Sequence, residues 1–233
     1  MEETPASSSQ ILSQFDNEED DENEEYVTPD AVIKRMTQWW QNEMASPCLL
    51  PTQMELVDIL LDQIQGMEEN IGRQKDKVQL RISIHKMELQ RISFMTSDYI
   101  RCRLRKIEAN PRSVIEEHQK RLEEGFLKRQ PELLSESELK FAKEYADAEA
   151  QLFGKTVLGF MPAALQKIPV PMDDLSTEFS FIRVLEDNVE NVSVPDWSDP
   201  NSEVILEMTK NSIHLIPFSS IRHLVEEGKI ELL

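Results

Sequence analysis

The longest helical pattern in the chain lies in its middle and constrains the fold more than any other feature. From Val78 to Asn110 the sequence contains neither proline nor glycine, so nothing breaks a helix far longer than the roughly 11–12 residues of an average one. A helix that packs against one neighbour needs a single apolar stripe. Here three apolar rows cover more than one face: Val78, Ile82, Leu89, Ile92 and Tyr99; Leu80, Ile84, Met87 and Phe94; Ile100, Leu104 and Ile107. We therefore predict a helix that is buried on several sides, as in the centre of an assembly.

Charge is distributed unevenly along the chain, whose net charge is −19 at pH 7. Residues 1–30 hold eleven acids and no base, residues 71–112 hold eleven Lys or Arg and four acids, and residues 156–233 hold thirteen acids and five bases. The local charges are therefore −11, +7 and −8. Acidic ends argue against a protein that coats nucleic acid, because such binding depends on cations that face phosphate. The basic middle can contact phosphate only locally.

Cysteine content and the N-terminal sequence predict the compartment. Cys48 and Cys102 are too few for a disulfide framework and are expected to be free thiols in a reducing compartment. The first residues are acidic and polar, unlike a secretion signal, and no apolar run approaches the roughly 18 residues of a membrane span. We expect a soluble intracellular protein.

Composition and periodicity divide the chain into four segments. Residues 1–27 are strongly acidic with little to bury, which predicts a disordered tail. Residues 28–161 show helical periodicity and begin with Thr28 as a helix N-cap before Pro29. Residues 162–175 contain three prolines and are predicted to be a linker, and residues 176–233 are β-rich. The predicted fold class is mainly α with a small β-rich C-terminal domain, in which a bundle of about five helices precedes the strands.

Helix boundaries follow from glycine, proline and capping residues. A second helix is expected from Met54 to Gln65, ending before Gly66. A fourth is expected from Ser113 to Glu124, followed by a loop from Gly125 to Pro131. The fifth should open with a capping box, Ser135 to Glu138.

The last residues alternate in the way of a half-buried strand. Strands are predicted at Phe179 to Leu185, Val189 to Val194, Val204 to Met208 and Ile213 to Ile216. Ser219 or Ser220 is expected to cap a short helix that ends at Gly228. In the final strand Ile230, Leu232 and Leu233 alternate with polar residues, and we expect these three to contribute to a partner interface of the β-rich domain.

Known catalytic and metal-binding patterns do not fit this sequence. The four histidines, His85, His118, His214 and His223, lack the spacing of metal ligands. Gly154-Lys155-Thr156 resembles the end of a phosphate-binding loop, but Glu149 stands where that loop needs glycine. No cysteine has an adjacent histidine, and no nucleophile elbow is present. We predict a protein that is not an enzyme and that holds neither cofactor nor metal.

The densest group of cations is Arg101, Arg103 and Arg105, which follow Tyr99 near the end of the long helix. One hypothesis is contact with DNA phosphate, which would make the chain a nucleic-acid-binding subunit. The other is that arginines on a crowded helix pair with carboxylates of neighbouring helices. We favour the second, because the aromatic residues of a single-strand binding platform are missing here. Tyr99 and the three arginines are accordingly predicted at an interface with partner chains.

A short apolar group interrupts the acidic tail. Ile11, Leu12 and Phe15 are spaced to share one helical turn, and acids follow from Asp16. This is the form of a linear motif that folds into the groove of a partner.

Several segments resemble the GINS (Go-Ichi-Ni-San) family, whose members form a four-subunit DNA replication complex, and the resemblance is greatest to its "Go" (five) subunit. The segments are VTPDAVIKRMTQWWQNE, ISIHKMELQRISFMTSDYIRCRLRKIE, GFMPAALQ, FSFIRVLEDNVENVSV and HLIPFSSIRHLVEEGKIELL. They cover about Thr28 to Leu233, and the most specific runs from Tyr99 to Glu108. The order of a helical domain before a β domain is also that of this subunit.

The resemblance implies a nuclear, non-catalytic scaffold. Its expected partners are three sibling subunits, the minichromosome-maintenance (MCM) ring with its cell-division-cycle partner, and the leading-strand polymerase. Together they form the replicative helicase assembly that acts in initiation and elongation. The motif of Ile11, Leu12 and Phe15 resembles the short box that docks on the trimeric hub adaptor of the replisome.

Overall fold

Within the described residues, five α-helices precede a small antiparallel β domain, which confirms the predicted fold class. A computed structural model describes residues 28–73, 80–128, 131–168, 170, 175, 177–187, 189–196 and 202–233. The helices of the first part are α1 (Pro29–Ala45), α2 (Met54–Arg73), α3 (Leu80–Ala109), α4 (Pro111–Lys128) and α5 (Glu136–Thr156). They are followed by β1 (Phe179–Val184), β2 (Val192–Pro195), β3 (Glu203–Leu206), β4 (Ile213–Pro217), α6 (Phe218–Glu226) and β5 (Ile230–Leu232). We call α1 to α5 the helical domain and the rest, from β1 onward, the β domain.

Two of the three predicted N-caps, Thr28 and Ser135, are confirmed. The Thr28 hydroxyl accepts a hydrogen bond of 3.3 Å from the Ala31 amide, and Pro29 takes the first helical position. At the start of α5, the Ser135 hydroxyl accepts from the Glu138 amide at 3.3 Å, and the Glu138 carboxylate accepts from the Ser135 amide at 3.0 Å. These bonds satisfy backbone donors that have no partner inside the helix.

Three predicted helix boundaries were wrong. Helix α2 continues through Gly66 to Arg73, and α4 begins at Pro111 and continues through Gly125 to Lys128. One glycine in a helix costs only about 1 kcal/mol relative to alanine, and in α2 the burial of Ile71 offsets that cost. Pro111 starts α4 because its fixed φ suits the first helical position.

Helix α3 is the centre of the helical domain and passes through two cores. Its first half packs on α1 and α2, in a core of Val32, Met36, Val57, Leu60, Ile64, Ile92, Met95 and Tyr99. Its second half reaches a core of Leu49, Ile107, Val114, Leu133, Leu134 and Ala142, formed with α4 and α5. Burial of the row that contains Ile82, Ile92 and Tyr99 agrees with the apolar periodicity.

The β domain is a three-stranded antiparallel sheet in the order β4-β1-β5, with a separate β2-β3 pair. Central strand β1 places Ile182 opposite both His214 and Leu232. Strands β2 and β3 are shorter than predicted, and α6 begins at Phe218 directly after Pro217. Ser219 and Ser220 therefore lie in its first turn and do not cap it. Gly228, at φ +76°, follows α6 in the left-handed conformation that glycine favours, as predicted.

The two domains share residues at their boundary. Leu50, from the connection between α1 and α2, is fully buried in the β-domain core. Asn42 of α1 donates from Nδ2 to the Ile230 carbonyl at 3.4 Å and accepts on Oδ1 from the Leu232 amide at 2.8 Å. One helical turn earlier, Gln38 donates to the Gly228 carbonyl at 2.8 Å. Asn42 thus pairs with edge strand β5 as a neighbouring strand would.

Four partly buried charged side chains join α4 to α6. Arg121 pairs with Glu226 at 2.6 Å and with Glu117 at 3.3 Å, while Arg222 pairs with Glu226 at 3.0 Å and also with Glu117. Each carboxylate therefore lies between two guanidinium groups, and the network bridges the domains. The division near residues 161 and 176 stays a prediction, and the predicted tail, residues 1–27, lies outside the described residues.

Removing Lys229 to Leu233 should unfold the β domain. The deletion removes β5 from a three-stranded sheet and leaves the buried Asn42 amide unpaired, which costs about 1–3 kcal/mol in addition to the lost burial of Ile230 and Leu232. We expect loss of the β-sheet signal and of cooperative denaturant unfolding, followed by circular dichroism. Leu233→Ala, which trims only a half-exposed side chain, is the matched control and should unfold nearly as the wild type. A truncated chain with wild-type unfolding would contradict the prediction.

Candidate functional site on the central helix

Arg103 lies at the centre of the helical domain and is fully buried (0% exposed). Its Nε donates to Glu138 Oε1 at 2.6 Å and its Nη2 donates to Glu138 Oε2 at 3.0 Å, a two-point contact with α5. Its Nη1 donates to Glu43 Oε2 of α1 at 3.1 Å. Nη1 also donates to the Leu50 carbonyl at 2.7 Å, and Nη2 to the Leu133 carbonyl at 2.8 Å. All five N–H donors of a guanidinium are therefore used.

Neighbouring residues complete this cluster, which we call the Arg103 node (Glu43, Tyr99, Arg103, Lys106 and Glu138). The guanidinium carbon lies 5.6 Å from the centre of the Tyr99 ring, within the range of a cation–π contact. The Tyr99 hydroxyl accepts from the Gln53 amide at 3.2 Å. Lys106 Nζ donates to Glu43 Oε1 at 2.7 Å, so Glu43 receives two cations. The node ties α1, α3 and α5 together.

The surroundings of the node keep its ion pairs charged. Burial alone would lower the pKa of the Arg103 guanidinium, but the hydrogen bonds that it donates to Glu138 and the nearby negative charges raise this pKa above its ordinary value. Burial acts in the opposite sense on Glu138, yet the hydrogen bonds and charge of Arg103 lower the pKa of this carboxyl. Burial raises the pKa of Tyr99 to about 12, so its hydroxyl stays neutral.

Of the four residues that the sequence predicted at a partner interface, two are buried and two are exposed. Tyr99 and Arg103 are buried within this chain, so the expected direct partner contact is not available to their side chains. Arg103 instead pairs with carboxylates of neighbouring helices, and the physical reason is helical spacing: its side chain lies on the inner face of α3, with Tyr99 one turn before it. Arg101 and Arg105 are exposed on the other side of the helix.

The second apolar row of α3 is exposed and continues into these two arginines. Leu80, Ile84, Met87 and Phe94 are 77%, 57%, 69% and 58% exposed. Steps of three, four or seven residues keep them on one face of the helix, and the same steps lead from Phe94 to Arg101 and Arg105. We call these six residues the outer stripe. Of the three apolar rows seen in the sequence, this is the one that the described residues of the chain leave uncovered.

The three β-domain residues predicted at an interface also differ in burial. Ile230 and Leu232 are buried in the core of their own domain, and only Leu233 is exposed. Leu233 lies on the outer face of the sheet with the exposed side chains of Phe181, Ile213 and Leu215. The motif residues Ile11, Leu12 and Phe15 lie outside the described residues.

Sequence patterns did not identify several residues of the node and the domain boundary. Glu138 was recognised only as a capping residue, and Glu43 and Asn42 had no recognisable signal because their partners are distant in sequence. The described part of the chain contains no group of three or more side chains suited to hold a metal ion. None of its helices is long and apolar enough to cross a membrane.

Replacing Arg103 should destabilise the chain far more than replacing its neighbours. Arg103→Met leaves Glu43 and Glu138 buried with reduced compensation, and breaking a buried ion pair typically costs about 3–5 kcal/mol. The matched control is Arg105→Met, which changes an exposed side chain two residues further along the helix. It should have little effect on stability. The measurement is the free energy of unfolding in denaturant. Equal stability of the two variants would show that the node is not needed for folding.

Acid should weaken the node. Because the pKa of Glu138 is lower in the folded chain than its ordinary 4.5, its contribution to stability is fully present above that value and is lost as the pH falls through the folded-state pKa. We expect the free energy of unfolding of wild type to fall below about pH 4.5 more steeply than that of Glu138→Gln. Parallel pH profiles for the two proteins would contradict this expectation.

The two structural parts match known families separately. Residues 55–157 match the family described as GINS complex protein helical bundle domain. Residues 177–233 match the family described as DNA replication complex GINS protein SLD5 C-terminus. The helical match ends at the last turn of α5, and the C-terminal match begins just before β1.

Similarity to whole proteins extends over nearly the full chain. Proteins called DNA replication complex GINS protein SLD5 are 37% identical in Mus musculus, over 96% of this chain and 99% of the relative, and 37% identical in Homo sapiens, over 89% and 91%. The protein of the same name from Arabidopsis thaliana is 29% identical over 86% of this chain and 90% of its own length. The chain therefore belongs to the GINS family of DNA replication complex proteins.

Proposed function

We propose that the chain is a non-catalytic scaffold subunit of a four-subunit GINS complex. Within that complex it takes the place of the proteins named SLD5, the "Go" (five) position that the sequence resemblance indicates. The names and coverage of the relatives support this assignment.

The outer stripe of α3 is the observation that carries the proposal. Its four apolar side chains stand more than half exposed on the helix that organises both helical cores. Burial of apolar surface is favourable by roughly 25 cal/mol per Å², and exposed apolar surface of this kind is typical of a protein interface. Further exposed apolar residues lie at the end of α5 and just after it, namely Leu152, Phe153, Val157 and Phe160.

Within the nucleus, the complex is proposed to join the MCM ring and its cell-division-cycle partner in the replicative helicase and to contact the leading-strand polymerase. The N-terminal motif of Ile11, Leu12 and Phe15 is proposed to dock on the trimeric hub adaptor. Its acidic neighbours from Asp16 would steer it to a basic groove. These partners follow from the family resemblance of the sequence.

A second candidate is a nucleic-acid-binding subunit that uses the arginine cluster. Arg101 and Arg105 are exposed, and among the described residues neither forms an ion pair, which favours this candidate for these two side chains. Arg103 is excluded from phosphate contact by its burial. A steep salt dependence of DNA affinity would distinguish this function from scaffolding.

Charges placed on the outer stripe should prevent assembly without unfolding the chain. Ile84→Glu with Met87→Glu changes side chains that are already exposed, so the variant should fold, but the two carboxylates would be desolvated against a partner. Co-expression with the three sibling subunits, followed by size-exclusion chromatography, measures recovery of the complex. The expected result is loss of the four-subunit peak.

Two controls accompany this experiment. Lys140→Glu changes an exposed polar residue of α5, and deletion of residues 1–27 removes the proposed docking tail. Both should assemble as wild type does. Failure of the wild-type chain to assemble with the siblings, or normal assembly of the stripe variant, would contradict the proposal. If Arg101→Glu with Arg105→Glu abolished DNA binding of an intact complex, the second candidate would be favoured.

A further inference from the structure

An open cleft of about 640 Å³ lies between α2 and α3, directly beside the outer stripe. Its apolar residues are Ile71 of α2 with Leu89 and Phe94 of α3. Phe94 also belongs to the outer stripe, so the cleft and the stripe form one continuous surface. An open groove between two helices is a shape that can receive a third helix.

The α3 side of the cleft carries two cations that form no ion pair with the described residues. Lys86 and Arg101 line it and are exposed, and no described carboxylate lies within ion-pair distance of either. Three other cations of α3 are already paired: Arg91 contacts Glu88 through two nitrogens, and Arg103 and Lys106 belong to the node. The α2 side has one carboxylate, Glu68, so the positive charge of the cleft is concentrated on α3.

Small side chains separate these two cations. Ser93 and Ser97 line the cleft one helical turn apart, between Lys86 and Arg101. Short residues at this spacing let the backbone of another helix approach closely, as at close helix crossings. The cleft therefore combines apolar residues, a narrow region of close approach and a cation near each end of its α3 side.

We infer that this cleft receives an amphipathic helix of a sibling subunit, whose apolar row is flanked by Asp or Glu side chains that pair with Lys86 and Arg101. This inference rests on the proposed function and adds the chemistry of the partner. Charge complementarity supports it, because Lys86 and Arg101 on the α3 side of the cleft can pair with carboxylates of a partner helix. Nucleic acid fits less well, since apolar residues occupy the middle of the cleft and only two cations of the described residues border it.

Charge reversal tests the inference. In the full chain co-expressed with the three siblings, Lys86→Glu with Arg101→Glu should reduce recovery of the four-subunit complex about tenfold or more, because like charges across an interface oppose association. The matched control is Arg35→Glu with Lys140→Glu, which changes net charge equally at exposed sites outside the cleft. Control recovery should equal that of wild type. Equal recovery of both double variants would overturn the inference.

Thiol labelling locates the contact independently. Ser93→Cys places an accessible thiol in the cleft, and Ser219→Cys places one on α6 as a control. Mass spectrometry of peptides distinguishes these positions from the native Cys48 and Cys102. The cleft thiol should react with maleimide in the free chain. In the complex its reaction should be at least about tenfold slower, because a bound helix excludes the reagent. The control thiol should react at the same rate in both.

The outcomes separate this inference from the proposed function. If wild type assembles while the cleft thiol stays reactive in the complex, the helix-in-cleft inference is wrong and the scaffold function stands. If wild type does not assemble with the siblings at all, the proposed function itself fails. Protection of the thiol already in the free chain, lost on deleting residues 1–27, would show that the chain's own acidic tail fills the cleft and would also overturn the inference.

Discussion

The buried guanidinium of Arg103 is the interaction on which the rest of the structure depends. A buried guanidinium that water does not reach needs a hydrogen-bond acceptor for each of its N–H donors. Two carboxylates and two backbone carbonyls supply these acceptors to Arg103. Those four acceptors come from α1, the connection after it, the segment before α5, and α5 itself. Because each of these pieces must be in place before the charge is compensated, the node specifies one arrangement of the helices.

The segment between α1 and α2, which supplies one acceptor to Arg103, also packs into the β domain. Its Leu50 carbonyl accepts from Arg103, while its side chain is buried in the β-domain core. Asn42, on the helix that also presents Glu43 to the node, pairs with both a donor and an acceptor of β5. The charged network of α4 and α6 adds a second bridge. The β domain is thus positioned by the helical domain, so surfaces on the two domains keep a fixed relation within the subunit.

Local features of the fold could be predicted from the sequence, whereas long-range partners could not. Caps at Thr28 and Ser135 depend on residues three positions away, and the length of α3 follows from the absence of glycine and proline. The partners of Arg103 lie 35 and 60 residues away, and no periodicity connects them. Apolar rows showed that α3 has more than one apolar face, but only the structure shows which face its own chain covers. That is why Tyr99 and Arg103, predicted at an interface, lie inside.

Helix α3 uses its opposite faces for different tasks, and this separation explains how a subunit can be both stable and ready to assemble. The inner face completes the charge node with acceptors from this chain alone, so a partner need not supply a buried counter-ion. The outer stripe offers apolar surface, whose burial favours association without the desolvation of a charge. Arg101 and Arg105 stand at the end of that stripe, where water still reaches them. Charges in such a position set which partner fits and in what register more than they set affinity, and that is the property that the proposed scaffold function requires.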